Sequence, residues 1–186
     1  NLVKKGFYNS KNKIKDTVVI SSRLIIRKNI DLALDNLLSL KNSNIHVYIL
    51  GDGPELDRLK IKYKKNKSVI SFLGYLKGDD IYNYYKKAEY FINLSQSEGM
   101  SNSLIEAMTC GCKCIISNIL ENRYTADSYA IYYDKEDDFS SKIKEAFKLD
   151  PEEISNYANS KYSIDLFNFY KLKELYKIDN SFTGGR

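Results

Sequence analysis

The chain has 186 residues, of which 43% are hydrophobic and 28% are charged, and its formal net charge is +5. This length suits one domain that buries a core without disulfides, and an aromatic content of 13% excludes intrinsic disorder. No apolar run approaches the roughly 18 residues of a membrane-spanning helix, and the polar segment 1–16 does not resemble a signal peptide. The modest positive charge is compatible with an anionic ligand or an anionic membrane surface. No motif of an RNA-binding module accompanies it, so we expect no nucleic-acid partner.

The order of apolar runs predicts strands that alternate with helices along the chain. We expect a linker at 1–16, one domain at 17–160, and a C-terminal helix and tail at 161–186. The predicted strands are 17–21, 45–50, 69–73, 90–94, 114–117 and 130–133, and the predicted helices are 29–40, 54–65, 79–87, 101–109, 136–148, 152–160 and 164–177. This alternation indicates an α/β fold, a Rossmann-like parallel sheet with helices on both faces.

Ligands of such sheets bind beyond the carboxyl ends of the strands, and the first candidate segment follows the first strand. It places Arg23 and Lys28 close to the start of the next helix. Two cations and the free N–H groups of a helix N-terminus can bind phosphate oxygens. Spacing alone leaves the alternative, two exposed basic side chains on a loop, equally open.

The second candidate segment is the polar loop after the fourth strand. Gly99 allows a ligand to approach the backbone closely, and Glu98 and Glu106 could accept hydrogen bonds from sugar or ribose hydroxyls. The alternative is that Ser103 and Glu106 form a capping box and that Glu98 is a solvated loop charge. The residue pattern alone favours this alternative.

Two further features have a structural interpretation. Gly51-Asp52-Gly53-Pro54 lacks the glycine spacing of dinucleotide-binding proteins, and we interpret it as a helix cap, with Pro54 in the first helical position. The single histidine, His46, lies inside a predicted strand, and this favours a structural residue over a catalytic one.

The three cysteines, Cys110, Cys112 and Cys114, favour a reducing compartment over a disulfide framework. If they lie on a strand, we expect alternation along the strand to turn the middle thiol away from the other two. With no second Cys/His cluster to complete a metal shell, we expect small buried side chains and no metal site.

Taken in order, four motifs resemble a known family. They are Ser22-Arg23-Leu24 with Lys28, Ile49-Leu50-Gly51-Asp52-Gly53-Pro54, Phe72-Leu73-Gly74-Tyr75, and Ser95…Glu98-Gly99-Met100 with Glu106-Ala107-Met108…Gly111. Over about 18–117, and more weakly to 176, the chain resembles the C-terminal half of retaining GT-B glycosyltransferases of the group 1, glycogen-synthase-like type. Glu98 and Glu106 have the spacing of the E-x7-E motif of that family.

The resemblance implies one half of a GT-B fold, the half that binds the nucleotide-sugar donor. Arg23 and Lys28 match the cations that stabilise the leaving diphosphate, Glu98 matches the glutamate that contacts the transferred sugar, and Glu106 matches the one that binds the ribose. The further substrate-binding residues would be Gly99, Met100, Ser101, Asn102 and Ser103 for the sugar and phosphates, and Tyr75 and Leu76 for the base. Reaction in this family retains the anomeric configuration and needs no metal and no cofactor, since protein cations stabilise the phosphate charge.

The chain departs from the family pattern in three places. Lys113 and Cys114 replace the usual Pro-Val, and 129–133 lacks the usual glycine, which we interpret as variation outside the donor site. The N-terminal acceptor domain is missing, and we expect a piece of a longer enzyme that is inactive or nearly so alone, with 183–186 as a possible scar, rather than a natural lone domain. The aromatic stripe of 164–177 could cross back to that domain or pack on this one.

The resemblance also implies synthesis of a cell-surface polysaccharide or glycolipid. The protein would be cytoplasmic, either free or peripheral on the cytoplasmic face of a membrane. Two alternatives stay open: a non-catalytic binding or scaffold domain of GT-B fold, and a GT-B epimerase or phosphorylase. An epimerase should need more acid–base groups than one buried histidine.

Overall fold

Six parallel strands form the centre of the fold in the computed structural model, which describes residues 8–40 and 44–163. They are β1 (Ile14–Ser21), β2 (His46–Leu50), β3 (Ile70–Gly74), β4 (Ala88–Asn93), β5 (Lys113–Ser117) and β6 (Ile131–Tyr133). Their spatial order is β3-β2-β1-β4-β5-β6. The order reverses between β1 and β4, and in open α/β sheets such a reversal opens a crevice at the carboxyl ends of the strands.

Helices cover both faces of this sheet. Within the described residues they are α1 (Ile30–Ser39), α2 (Leu56–Lys62), α3 (Asp79–Lys87), α4 (Asn102–Thr109), α5 (Leu120–Ala126), α6 (Phe139–Phe147) and α7 (Pro151–Tyr162), with short 3-10 turns at Ser10–Asn12, Ile26–Lys28 and Lys64–Asn66. The Rossmann-like α/β architecture predicted from the sequence is confirmed.

The central strands carry continuous apolar runs, such as 18–20 on β1 and 90–92 on β4, because both faces of the sheet are buried there. On β1, Val18 points into one core cluster together with Leu34 of α1, while Val19 points into the other together with Met108 of α4. All four side chains are fully buried. A strand that is buried on both faces has a continuous apolar sequence rather than an alternating one, and this run predicted β1.

The predicted linker at 1–16 was wrong for its last residues. β1 begins at Ile14, which pairs with Ala88, and the pairing register with β4 shifts between Ile14 and Val18. Asp16 adopts φ 57°, and its N–H donates to the Glu89 carboxylate. The polar residues of this irregular strand end concealed it in the sequence.

The predicted boundary at 160 also falls inside an element. α7 continues to Tyr162, whose buried hydroxyl donates to the Thr125 carbonyl, so the last turn belongs to the domain. The predicted helix at 164–177 and the tail to 186 lie outside the described residues.

Sequence analysis missed α5 because polar groups fix this helix in place. Asn122 and Thr125 are both about 1% exposed. The Asn122 amide donates to the Ser117 carbonyl at 2.9 Å, and the Thr125 hydroxyl donates to the Glu121 carbonyl at 2.8 Å. A helix buried through amides and hydroxyls lacks the apolar periodicity from which helices are predicted.

The Gly-Asp-Gly-Pro segment holds the loop after β1 and is not the start of a helix. α2 begins at Leu56, after Pro54, so the predicted cap was wrong. The Leu24 N–H donates to the Asp52 carbonyl at 2.9 Å. Gly51 has φ +138°, and a Cβ there would lie 1.8 Å from the Ser22 carbonyl oxygen. Only glycine permits this close approach of two backbones.

We therefore expect Gly51→Ala to lower the free energy of unfolding by about 3 kcal/mol, because it adds a backbone collision to the cost of a positive φ. Gly78→Ala is the matched control, since Gly78 has φ +55° but open space around its Cβ position, and it should cost about 1 kcal/mol. Urea unfolding of both variants measures the difference. Equal losses would show that the contact between Gly51 and the Ser22 loop is unimportant.

Candidate functional site

A cavity of about 390 Å³ opens at the carboxyl edge of the sheet, where the strand order reverses. Its size suits a small-molecule ligand. Loops that follow β1, β2 and β3 and the first turns of α4 form its walls. The lining residues are Ser21, Ser22, Arg23, Leu50, Gly51, Asp52, Tyr75, Leu76, Ile81, Asn102, Ser103 and Glu106.

Arg23 supplies an available positive charge to this cavity. Its neighbour Leu24 is fully buried and anchors the loop, while Arg23 itself is exposed. Among residues 8–40 and 44–163, the Arg23 guanidinium makes no hydrogen bond or ion pair. A planar cation with five free donors suits bidentate binding of phosphate or carboxylate oxygens.

Lys28 and Glu98 form an ion pair beside the cavity. The Lys28 ammonium lies 2.6 Å from both carboxylate oxygens of Glu98, and the two side chains are 13% and 7% exposed. Lys28 closes the 3-10 turn after β1, and Glu98 lies in the loop after β4, so the pair joins the two strands at which the sheet order reverses.

Glu98 is ionised at neutral pH. Burial by itself would raise the pKa of this carboxyl, but hydrogen bonds from Lys28 and Asn93 outweigh burial and hold the pKa below its usual value. The sequence analysis did not identify Asn93 as a site residue. The only signal for it was its position near the end of the predicted fourth strand. An ionised, nearly buried carboxylate at this place can accept hydrogen bonds from hydroxyl groups but cannot donate a proton.

Glu106 has the opposite electrostatic character. It lies half-buried on α4, and burial raises the pKa of its carboxyl, an effect that the nearby Tyr85 hydroxyl only partly offsets. The N-cap of α4 is Ser101, whose hydroxyl oxygen accepts from the Leu104 N–H. The capping box of Ser103 and Glu106 is therefore absent from the start of this helix, and the Glu106 side chain faces the cavity.

The structure brings most of the predicted site residues to one edge of the sheet, in two groups. Arg23, Tyr75, Leu76, Asn102, Ser103 and Glu106 line the cavity, whereas Lys28 and Glu98 form the adjacent pair. Ser22 borders both groups. Gly99, Met100 and Ser101 lie in the loop between β4 and α4 but do not line the cavity. An added Cβ at Gly99 would meet no described atom within 4 Å.

The histidine lies at the other edge of the sheet. His46 begins β2, and its Nε2 shares a hydrogen bond of 3.1 Å with the Ser71 hydroxyl on β3. It therefore stands at the amino ends of the strands, opposite the cavity.

The cysteines are all buried in one cluster. The expectation that alternation along a strand separates them was wrong, because residues two apart on a strand point to the same face. In addition, β5 begins only at Lys113, so Cys110 and Cys112 precede the strand. Burial raises the pKa of the Cys112 thiol. Within the described residues no group of three or more His, Cys, Asp and Glu could hold a metal ion, and no helix has the length and apolar character to cross a membrane.

The fold and this edge site define the chain as a Rossmann-like domain of the kind found in GT-B glycosyltransferases. The family model for group 1 glycosyl transferases matches residues 5–161. The chain belongs to this family.

Among the relatives, an alpha-monoglucosyldiacylglycerol synthase of Streptococcus pneumoniae is 28% identical over 171 residues, which are 88% of this chain and 38% of that protein. The pneumococcal O-GlcNAc transferase GtfA, solved with UDP and GlcNAc, has a TM-score of 0.70 at 19% identity, over 96% of this chain and 39% of that one. HepE of Anabaena, solved with UDP-glucose, has a TM-score of 0.69 at 16% identity, over 93% of this chain and 56% of that one. The chain thus spans between 38% and 56% of the length of these three proteins.

The two glutamates should affect stability with opposite signs. Because the pKa of Glu98 is lowered in the folded chain, its stabilisation is complete at neutral pH and is lost as the pH falls through the folded pKa. Glu98→Gln should cost about 1–3 kcal/mol at neutral pH, since it leaves Lys28 without its partner.

Glu106→Gln should instead stabilise the chain at neutral pH, because the pKa of Glu106 is raised and its charged form is unfavourable in the folded state. The difference for Glu106→Gln should vanish once the pH falls below the ordinary glutamate range, whereas the difference for Glu98→Gln should persist to lower pH, because the pKa of Glu98 is lowered in the folded chain. Urea unfolding across this pH range measures them. The same sign for both variants would contradict the electrostatics described here.

Proposed function

We propose that the chain is the donor-binding half of a retaining glycosyltransferase that transfers a sugar from a nucleotide-sugar to a glycan or glycolipid acceptor. The observation that carries this proposal is that Arg23, which has no partner among the described residues, lines the same 390 Å³ cavity as Glu106, beside the Lys28–Glu98 pair. The chain belongs to the group 1 glycosyl transferases, which supports a sugar-transfer activity, and the arrangement of charge supports the specific role.

The diphosphate of the donor would lie between Arg23 and Lys28. An ammonium group has three donors, and Lys28 directs its hydrogen bonds at Glu98, so it can contact a phosphate oxygen and Glu98 together. The Ser22 hydroxyl is buried without a hydrogen-bond partner among the described residues, and it borders both groups of the site. The Tyr85 hydroxyl is the other buried polar side-chain atom without a partner among the described residues. A buried polar atom of this kind on the wall of a cavity is consistent with a ligand contact.

The two glutamates would bind the two sugars of the donor. Glu106 lines the cavity and would accept hydrogen bonds from the ribose hydroxyls, while Glu98, ionised and next to Lys28, would accept one from the transferred sugar. Tyr75 and Leu76 would lie against the base. Gly99, Met100 and Ser101, with Asn102 and Ser103 at the start of α4, would offer backbone N–H groups to the sugar and phosphates.

The reaction would use the protein cations for the charge that develops on departure of the diphosphate. Arg23 and Lys28 stabilise that charge, so we propose that neither a metal nor a cofactor takes part. The acceptor hydroxyl attacks the face from which the diphosphate leaves, and a phosphate oxygen of the donor assists loss of the hydroxyl proton. This sequence of events retains the anomeric configuration.

The acceptor would be bound by a further domain, because the cavity accounts only for a donor. The chain spans 38% of the S. pneumoniae relative, and we propose that it works with an N-terminal acceptor domain and is inactive alone. Since that relative is named for a glycolipid product, we propose a site of action on the cytoplasmic face of a membrane.

The donor site can be tested by thermal shift and calorimetry. UDP and UDP-glucose are the first probes because they are the ligands of structural neighbours, followed by GDP- and ADP-glucose. A donor that binds the folded chain must raise its melting temperature. Arg23→Ala should weaken binding of the effective nucleotide at least about tenfold, since a charged contact to phosphate is lost.

Arg27→Ala is the matched control, because Arg27 is an exposed arginine of the same loop that does not line the cavity. It should leave affinity within about twofold. Equal effects of both substitutions would refute the role of Arg23. Absence of any thermal shift with every nucleotide would favour a scaffold domain without donor binding.

A further inference from the structure

We infer that Asn93 is the positioning residue of Glu98, holding one carboxylate oxygen so that the other faces the transferred sugar. The inference rests on the proposed donor-binding function. Asn93 is the last residue of β4 and is 6% exposed.

The orientation of the Asn93 amide is fixed by Ser95. The Asn93 carbonyl oxygen, Oδ1, lies 3.1 Å from the Ser95 N–H nitrogen and 2.5 Å from the Ser95 hydroxyl oxygen. A backbone N–H can only donate, so this amide atom has to be the acceptor. The amide NH₂ must then point the other way, toward Glu98.

The Asn93 amide and Lys28 together distinguish the two oxygens of Glu98. Asn93 Nδ2 donates to Oε1 of Glu98 at 3.0 Å, whereas Lys28 contacts both oxygens at 2.6 Å. Of these hydrogen bonds between described residues, two reach Oε1 and one reaches Oε2. The Ser95 hydroxyl lies near enough to the carboxylate to help lower its pKa as well. Among the described residues, Lys28 is the charged group that faces this carboxylate.

This difference matters once a diphosphate is bound. A phosphate oxygen next to Lys28 competes for the ammonium protons, and the Glu98 carboxylate is too buried to be solvated instead. The neutral Asn93 amide is not drawn away by the phosphate and continues to donate to Oε1. Oε2 is then the oxygen that can accept a hydroxyl of the sugar. Asn93 thus keeps Glu98 oriented when the diphosphate binds Lys28, so that Oε2 can accept a hydrogen bond from the sugar.

The test compares Asn93→Asp with unsubstituted chain. Aspartate keeps the shape and the acceptor for Ser95 but replaces the donor that faces Glu98 by an oxygen. We expect the affinity for UDP-glucose, or for the glucose conjugate that raises the melting temperature, to fall at least about tenfold more than the affinity for the nucleoside diphosphate alone. The carboxyl carbon resonance of Glu98 in the free chain should titrate at a higher pH than in the unsubstituted chain.

Two further variants keep the inference falsifiable. If Asn93→Asp does not fold, Ser95→Ala takes its place in the test. It removes the hydroxyl that orients the Asn93 amide and should produce smaller effects of the same kind. Asn122→Asp is the matched control, because Asn122 is a buried asparagine on α5 whose amide donates to Ser117 at the end of β5, the strand next to β4. It should lower stability without separating the affinities for the two ligands.

The outcomes distinguish the inference from the proposed function. If no nucleotide binds the unsubstituted chain, the proposed function fails, and the role of Asn93 in sugar binding fails with it. If nucleotides bind but Asn93→Asp lowers both affinities equally, or leaves the Glu98 titration unchanged, donor binding stands and the positioning role of Asn93 is overturned.

Discussion

The Lys28–Glu98 ion pair is the interaction on which the geometry of the site depends. It joins the loop after β1 to the loop after β4, the two strands between which the sheet reverses its order. Neighbouring contacts strengthen this junction, since the Gln96 N–H donates to the Arg27 carbonyl and the Asn29 amide donates to the Leu94 carbonyl. A cation and an anion thereby share one edge of the sheet, each nearly removed from water. Such an arrangement is costly unless both charges are satisfied, and a ligand that carries phosphates and hydroxyls can satisfy both.

The rest of the fold keeps these two loops in place. Both faces of β1 are buried, so the start of the loop that carries Arg23 cannot shift without disrupting the core. On the other side, Gly51 allows the segment after β2 to lie directly against the Ser22 carbonyl. The cavity wall is therefore built from backbone contacts, and Arg23 extends from a rigid support. Rigid placement of a charged group limits the entropy lost on binding.

The sequence predicted the parallel sheet, nearly all of its elements and most of the residues that meet at its edge. It did so because buried strands are continuous apolar runs and because functional loops follow strand ends in this architecture. It could not predict the structures that depend on polar contacts in three dimensions. The irregular start of β1 at Asp16, helix α5 held by Asn122, and the bond from Asn93 to Glu98 each rest on a hydrogen bond to a residue that no local pattern identifies. The opposite pKa shifts of Glu98 and Glu106 could not be predicted for the same reason. They depend on burial and hydrogen-bond partners, which the spacing of the two residues in the sequence does not determine.

The most direct measurement of the central claim is a nuclear magnetic resonance titration of the labelled chain with UDP-glucose, or with the nucleotide-sugar that stabilises it. The account predicts that the largest amide shifts fall at the carboxyl edge, in the loops around Arg23, Gly51 and Glu98 and at the start of α4. A second basic cavity, of about 220 Å³ and lined by Lys13, Lys15 and Lys113, lies at the amino edge and offers an internal comparison. Shifts concentrated there, with the carboxyl edge unaffected, would contradict the account.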